Sequence, residues 1–292
     1  MYRSNVKFLF LAVISLIFMP KTAAGGKVPI FVSIVPQKYF VQQIGQERVH
    51  VQVMAQPGAS PATYEPRPKQ MASLLKTKIY YAIGVPFEKA WLKKIAAANP
   101  NMMVVHTDEG VQKIPMEAPH HRQKDDHHRH GILDPHIWTS PRLVKMQARH
   151  ILNALIEVDP EHKSVYMAGY EAFIKKLEAI DAEFKSIFSG KRGTEFMVFH
   201  PAWGYFAQAY GLKQIPIEVE GKKPKPVQLQ ELIEHARERR IKVIFVQPQF
   251  SIKNAQTVAK AIDGQVVFAD PLALNWEDNL RKLAAKFKTA LR

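Results

Sequence analysis

The stretch DPEHKSVYMAGYEAFIKKLEAIDAEFKSIFSG, residues 159–190, decides the architecture. Asp159-Pro160 reads as a helix start, an N-cap carboxylate followed by proline at the first helical position, and Gly190 reads as its stop. Between them Tyr166, Tyr170, Phe173, Leu177, Ile180, Phe184 and Ile187 recur at alternating steps of four and three, which makes one continuous apolar seam. At about 1.5 Å per residue the seam runs roughly 32 Å, the length of a domain rather than of an extended coiled coil. It is a spine to which the flanking segments attach.

Both flanks alternate extended apolar runs with helical patterns, the signature of βα units and parallel sheets. Before the spine, strands are predicted at 29–35, 49–54, 78–83 and 102–106. Helices are predicted at 37–44, 67–75 and 87–98, with a short one at 141–155. After it, strands are predicted at 195–199, 214–217, 242–247 and 265–269, and helices at 202–210, 228–239, 252–262 and 276–291. No repeat of fixed period is visible. The expected fold is α/β: two parallel-sheet lobes, residues 25–158 and 190–292, joined by one long rigid helix over 159–189.

Residues 1–24 read as a secretory leader. Arg3 and Lys7 precede the apolar run Phe8 to Met19, which is short for a membrane span, and Pro20-Lys21-Thr22-Ala23-Ala24 offers a small-residue cleavage site. Export to the periplasm with cleavage near residue 24 is the expectation. Cysteine is absent from the sequence, which excludes disulfides, thiolate ligands, a cysteine nucleophile and a lipid anchor on cysteine. The leader takes three basic residues and no acidic one from totals of 41 and 26, leaving a net charge of +12. The lysines are scattered along helices rather than gathered in a stripe with stacking aromatics, so no nucleic-acid partner is expected. Lys222-Lys223-Pro224-Lys225, the one dense basic patch, reads as a solvated loop. No dinucleotide fingerprint and no phosphate-binding loop occurs.

Periodicity disappears between 115 and 134, and this gap is dense in histidine. His120, His121, His127, His128 and His130 lie there and His136 follows, six of the chain's twelve histidines. Imidazole suits zinc, copper, nickel and iron, so the cluster is a metal hypothesis; interleaved Arg122, Lys124, Asp125, Asp126 and Arg129 also fit a solvated polar loop within the region 118–133. Ligands in parallel sheets bind beyond the carboxyl ends of strands. Four points there carry unusual polar chemistry: the loop Pro57 to Pro66, His136, His200 and Asp270. Taken singly, each histidine could be a satisfied buried residue and Asp270 an ordinary turn residue. Together, two imidazoles and a carboxylate from both halves make a first shell for zinc that needs no thiolate.

The motifs Pro57-Gly58-x-Ser60-Pro61-x-Thr63-Tyr64-Glu65-Pro66, Asp134-Pro135-His136-Ile137-Trp138, His200-Pro201-Ala202-Trp203-Gly204-Tyr205-Phe206, Ile244-Phe245-Val246-Gln247-Pro248-Gln249-Phe250 and Asp270-Pro271-Leu272 span nearly the whole mature chain. In this set the sequence resembles the zinc-binding solute receptors of metal ABC importers, the ZnuA-type branch of the TroA-like cluster A-I proteins. The resemblance implies two lobes with limited relative movement, Zn2+ as the bound cargo, and a membrane permease as partner. It implies His136, His200 and Asp270 as metal ligands. Histidine at position 200 looks like the zinc-type members, since manganese and iron members commonly carry glutamate there. A monomer is expected.

The chain departs from the family's pattern at Ala62, where the resembled receptors carry their first histidine ligand. The remaining three residues could hold zinc with a water in the fourth place; Glu65 or a histidine of the 120–130 segment could supply the missing donor; or the site could be degenerate. Three protein ligands and a water also describe a catalytic zinc site, yet no His-Glu-x-x-His or Gly-x-Ser-x-Gly motif accompanies them. A zinc-dependent hydrolase, or an exported zinc buffer or adhesin, are the competing readings. Trp138, Trp203, Tyr205 and Phe206 are expected as packing walls.

Overall fold

The computed structural model of the chain describes residues 26–117, 132–218, 224–250 and 252–291. The expected leader, the five histidines from His120 to His130, and Lys222-Lys223 lie outside the described residues.

The first sheet is built from β1 (Val28–Val32), β2 (Val49–Val53), β3 (Ile79–Ala82) and β4 (Met103–His106), all parallel, in the order β2-β1-β3-β4. Its helices are α1 (Val35–Gly45), α2 (Pro68–Ser73) and α3 (Pro86–Ala98). The second sheet holds β5 (Glu195–Val198), β6 (Lys213–Pro216), β7 (Val243–Val246) and β8 (Gln265–Phe268), parallel in the order β6-β5-β7-β8. It is flanked by α6 (Gly204–Tyr210), α7 (Pro226–Glu238), α8 (Ile252–Ala261) and α9 (Trp276–Ala290). Central strands read as unbroken apolar runs because helices cover both faces: all four residues of β3 and of β7 are buried. The two sheets share one strand order, a structural repeat that leaves no fixed period in the sequence.

Between the sheets lie α4 (Pro141–Val158) and α5 (Lys163–Ile187). The predicted seam is the buried face of α5: Tyr166, Phe173, Leu177, Ile180 and Phe184 are all buried. Its first half meets α1, where Gly169 lets the backbones close in: a Cβ there would stand 2.4 Å from the Ile44 carbonyl oxygen. Its second half meets the second sheet's helices, with the Phe184 ring 5.9 Å from Phe206 and 5.6 Å from Tyr210. α4 runs antiparallel beside α5, tied by Arg142–Asp181 at 3.0 Å and Lys145–Glu178 at 3.3 Å. The short helix expected over 141–155 is therefore an 18-residue helix, long enough to match the spine.

The expected N-cap role of Asp159 is not observed. Pro160–His162 forms a 3-10 turn, the α-helix starts at Lys163, and Asp159 makes no side-chain cap. Its carboxylate accepts instead from the Tyr166 hydroxyl at 2.5 Å and from His162 Nδ1 at 2.8 Å, with Arg48 3.9 Å away. A carboxylate offered a phenol, an imidazole and a guanidinium gains more than from one backbone N–H.

One hydrophobic core runs through both lobes, and a smaller one lies on the outer face of the second sheet. Two indoles cross between the lobes: Trp138 Nε1 donates to the Pro271 carbonyl at 2.7 Å, and Trp276 Nε1 donates to the Trp138 carbonyl at 2.8 Å. Tyr39 on α1 donates to Glu277 on α9 at 2.7 Å. Among the described residues, no helix is long and apolar enough to cross a membrane.

Candidate metal site

In each sheet the strand order reverses direction between the two central strands, and loops leaving that point diverge to form a crevice. The crevices of the two sheets face one another. From the second sheet, the chain leaving β5 turns at Phe199-His200-Pro201, and Gln247, just past β7, pairs with both backbone groups of His200. Its Nε2 donates to the His200 carbonyl at 2.7 Å and its Oε1 accepts from the His200 N–H at 3.3 Å. Glu218, just past β6, is 3 % exposed and hydrogen-bonds His200 Nδ1. Phe250 stacks on the His200 ring at 4.8 Å.

From the first lobe, His136 is held by Asp134, which is 1 % exposed. One carboxylate oxygen accepts from the His136 backbone N–H at 2.8 Å and from its Nδ1 at 2.7 Å. Asp134 closes an antiparallel stem on the histidine-dense segment: Asp134 N–H donates to the Ile114 carbonyl and Met116 N–H to the Ile132 carbonyl, each at 2.8 Å. Tyr205 locks this stem from the second lobe. Its hydroxyl donates to the Asp134 carbonyl at 2.8 Å and accepts from the Ile114 N–H at 3.2 Å.

Both Nδ1 atoms face a carboxylate, which accepts when ionised and so favours the tautomer that turns the Nε2 lone pair toward the other lobe. Those two Nε2 atoms meet across the lobes at 3.3 Å. Burial pushes the His200 imidazole below its ordinary value; the Glu218 carboxylate opposes that shift and His136 reinforces it. The ring is thereby kept neutral, the form that binds metal.

The pair lies on the wall of an interlobe cavity of about 170 Å³. Ala62, Val85, Pro86 and Trp138 line it from one lobe, Phe250 and Leu272 from the other. Met116 and Ile132, at the root of the histidine-dense segment, also line it.

Of the sequence-predicted ligands, the structure brings His136 and His200 together. Asp270 belongs to the same neighbourhood, since Pro271 and Leu272 form part of the cavity wall, but its carboxylate is turned into its own loop. It accepts from Leu272 N–H at 2.9 Å and from Gln249 Nε2 at 3.1 Å. Among the described residues, no three His, Asp or Glu side chains stand as a group that could hold a metal ion. Glu65 is exposed and does not line the cavity. Trp138 does more than wall the cavity, because it also ties the lobes. Trp203, Tyr205 and Phe206 are buried beside the stem and the spine.

Sequence reasoning missed Asp134, Glu218 and Gln247 as functional residues. The Asp134-x-His136 spacing was a usable signal, since a short acidic side chain two residues away can reach Nδ1. For Glu218, eighteen residues from His200, only the β5–β6 pairing brings the groups together.

A family model described as zinc-uptake complex component A, periplasmic, matches residues 30–290. The high-affinity zinc uptake system protein ZnuA of Bacillus subtilis (strain 168) is 26% identical over 244 residues, covering 82% of this chain and 76% of that protein. The iron-binding protein YfeA of Yersinia pestis is 27% identical over 241 residues, 80% of this chain and 74% of that protein. The crystal structure of a ZnuA deletion mutant with zinc bound superposes with a TM-score of 0.84 at 40% identity, covering 91% of this chain and 98% of that one. The chain belongs to this periplasmic component A family, the solute-binding components of metal ABC transporters, and is not an enzyme.

Proposed function

We propose that the chain is the Zn2+ receptor of such an importer, exported by its leader to the periplasm, where it takes the ion between His136 and His200 and hands it to a membrane permease. The observation that carries this reading is the facing pair of Nε2 atoms at 3.3 Å, one from each lobe, each ring oriented by a buried carboxylate. Imidazole backed by carboxylate is the arrangement that orients a zinc-ligating histidine and makes Nε2 the better electron-pair donor. Zinc is favoured over manganese because both converging donors are nitrogen, and over ferrous iron by the general order of affinities of divalent metals for such sites. Asp270 is the third ligand in this reading, freed by rotation out of its hydrogen bonds with Gln249 and Leu272. The five histidines His120, His121, His127, His128 and His130 act as auxiliary collectors, and Glu65 is a further auxiliary donor. The receptor works as a monomer without a lipid anchor.

Titration of metal-free protein with Zn2+ against a chelating indicator tests this. The wild type is expected to bind one ion far more tightly than His136→Ala/His200→Ala, and Asp270→Ala is expected to fall between them. Equal affinity of the wild type and the double variant would remove the site from the proposal. Mn2+ and Fe2+ are expected to compete poorly.

A further inference from the structure

The cavity is much larger than an ion. At about 170 Å³ it exceeds the roughly 150 Å³ in which an apolar protein cavity takes a benzene-sized ligand, and one water needs only about 30 Å³. Its walls are mostly carbon: Ala62, Val85, Pro86 and the Trp138 ring from one lobe, Leu272 and the Phe250 ring from the other. The polar groups on its wall are few: the His136–His200 pair, with the amides of Gln247 and Gln249 engaged by His200 and Asp270. Zinc commonly takes four donors; that pair supplies two and, in the reading above, Asp270 a third. Waters completing the shell would stand against hydrocarbon with few hydrogen-bond partners, a poor environment for them. A ligand with a flat carbon body and one nitrogen donor suits the same space, its ring covered by the aromatic walls and its nitrogen on the metal.

We propose that the cavity receives its cation as a ternary complex, together with a small ring-bodied nitrogen ligand of the imidazole class lying beside Ala62. This rests on the reading of His136 and His200 as metal ligands and names what accompanies the ion. Ala62 is the residue that makes the space: it lines the cavity and is exposed, with its backbone N–H donating to Ser60 Oγ at 3.3 Å. A longer side chain there would occupy the ring's place. Neither carboxylate near the region competes for that place in the structure, since Asp270 is engaged within its loop and Glu65 lies off the wall.

The experiment is a Zn2+ titration of the full mature chain with and without free imidazole, paired with native mass spectrometry. Imidazole is a competitor for zinc in solution, so a receptor binding the bare ion loses apparent affinity when it is added. The ternary site is expected to gain at least about tenfold, equivalent to about 1.4 kcal/mol, and to appear at the mass of protein plus zinc plus one imidazole. Ala62→Phe, on an exposed loop, is expected to keep the wild-type circular dichroism and melting temperature while losing the gain. A chain with the five histidines of 120–130 replaced by asparagine is expected to retain it. Unchanged or weakened zinc binding in imidazole, or a gain that survives Ala62→Phe, overturns the ternary complex and leaves the zinc-receptor reading standing. Zinc binding no better than that of the His136→Ala/His200→Ala double variant in both conditions overturns the metal reading itself.

Discussion

Replacing Asp134 by asparagine separates orientation of His136, the proposed ligand, from stability of the fold. In the structure one Asp134 oxygen takes two hydrogen bonds from His136, at 2.8 Å from the backbone and 2.7 Å from Nδ1, and the other is buried with no hydrogen-bond partner. Asparagine can keep both accepted bonds through its amide oxygen; it removes the charge and sets an NH2 where the unpartnered oxygen stood. A hydrogen bond to a charged group contributes about 1.5–3 kcal/mol and a neutral one about 0.5–1.5, a difference of about 1.4 kcal/mol or about tenfold in Kd. Loss of outer partners of metal-bound histidines costs about 10–100-fold, which brackets the same figure. The metal-free protein should lose little, because a buried carboxylate with one unpartnered oxygen carries a desolvation cost that the amide reduces. Zinc affinity by indicator competition and melting of the metal-free protein are the two readouts. A tenfold weaker Kd with melting within a degree or two is expected. An unchanged Kd in a protein whose His136→Ala variant has lost zinc would refute the reasoning, as would a fall in melting large enough to account for the affinity loss.

Because burial lowers the His200 pKa from its ordinary 6.5, the unfolded chain binds that proton more readily than the folded one. The stability of the metal-free protein is therefore expected to fall as pH drops through 6.5, while proton competition with zinc at His200 sets in below the ordinary imidazole range. Urea titrations and zinc titrations across this window read the two effects, and a zinc midpoint above 6.5 assigned to His200 would contradict them. Gly169→Ala places a Cβ 2.4 Å from the Ile44 carbonyl oxygen and 2.9 Å from that of Gln43, so α1 and α5 must part. The overpacking, about 1–3 kcal/mol, is expected to outweigh the roughly 1 kcal/mol of helix propensity that alanine gains, and a melting temperature equal to or above wild type would show the contact to be softer.

The elements were legible because the physics that forms them is local. Buried parallel strands read as apolar runs, and the α5 seam reads as alternating steps of four and three, so each predicted strand and helix has its counterpart within a few residues. Asp159 misled because acidic-proline is a sound helix start, while the groups that took its carboxylate, Tyr166 and Arg48, are brought up by the turn and by the first sheet. At the site, His136 and His200 were legible as isolated histidines past strands. The direction in which Asp270 points was not, because it depends on Leu272 N–H two residues on and on Gln249, which only the pairing of β7 with β8 brings near. Glu218 was hidden for the opposite reason: its partner is distant in sequence and adjacent only across paired strands.

The facing Nε2 atoms have a mechanical consequence. They come from different lobes and stand 3.3 Å apart, so a cation held by both, as proposed, would tie one lobe to the other through two bonds. The indole hydrogen bonds at Trp138 and Trp276 already tie the lobes beside that point. A partner gripping both lobes could tell a loaded chain from an empty one by its stiffness, without touching the ion.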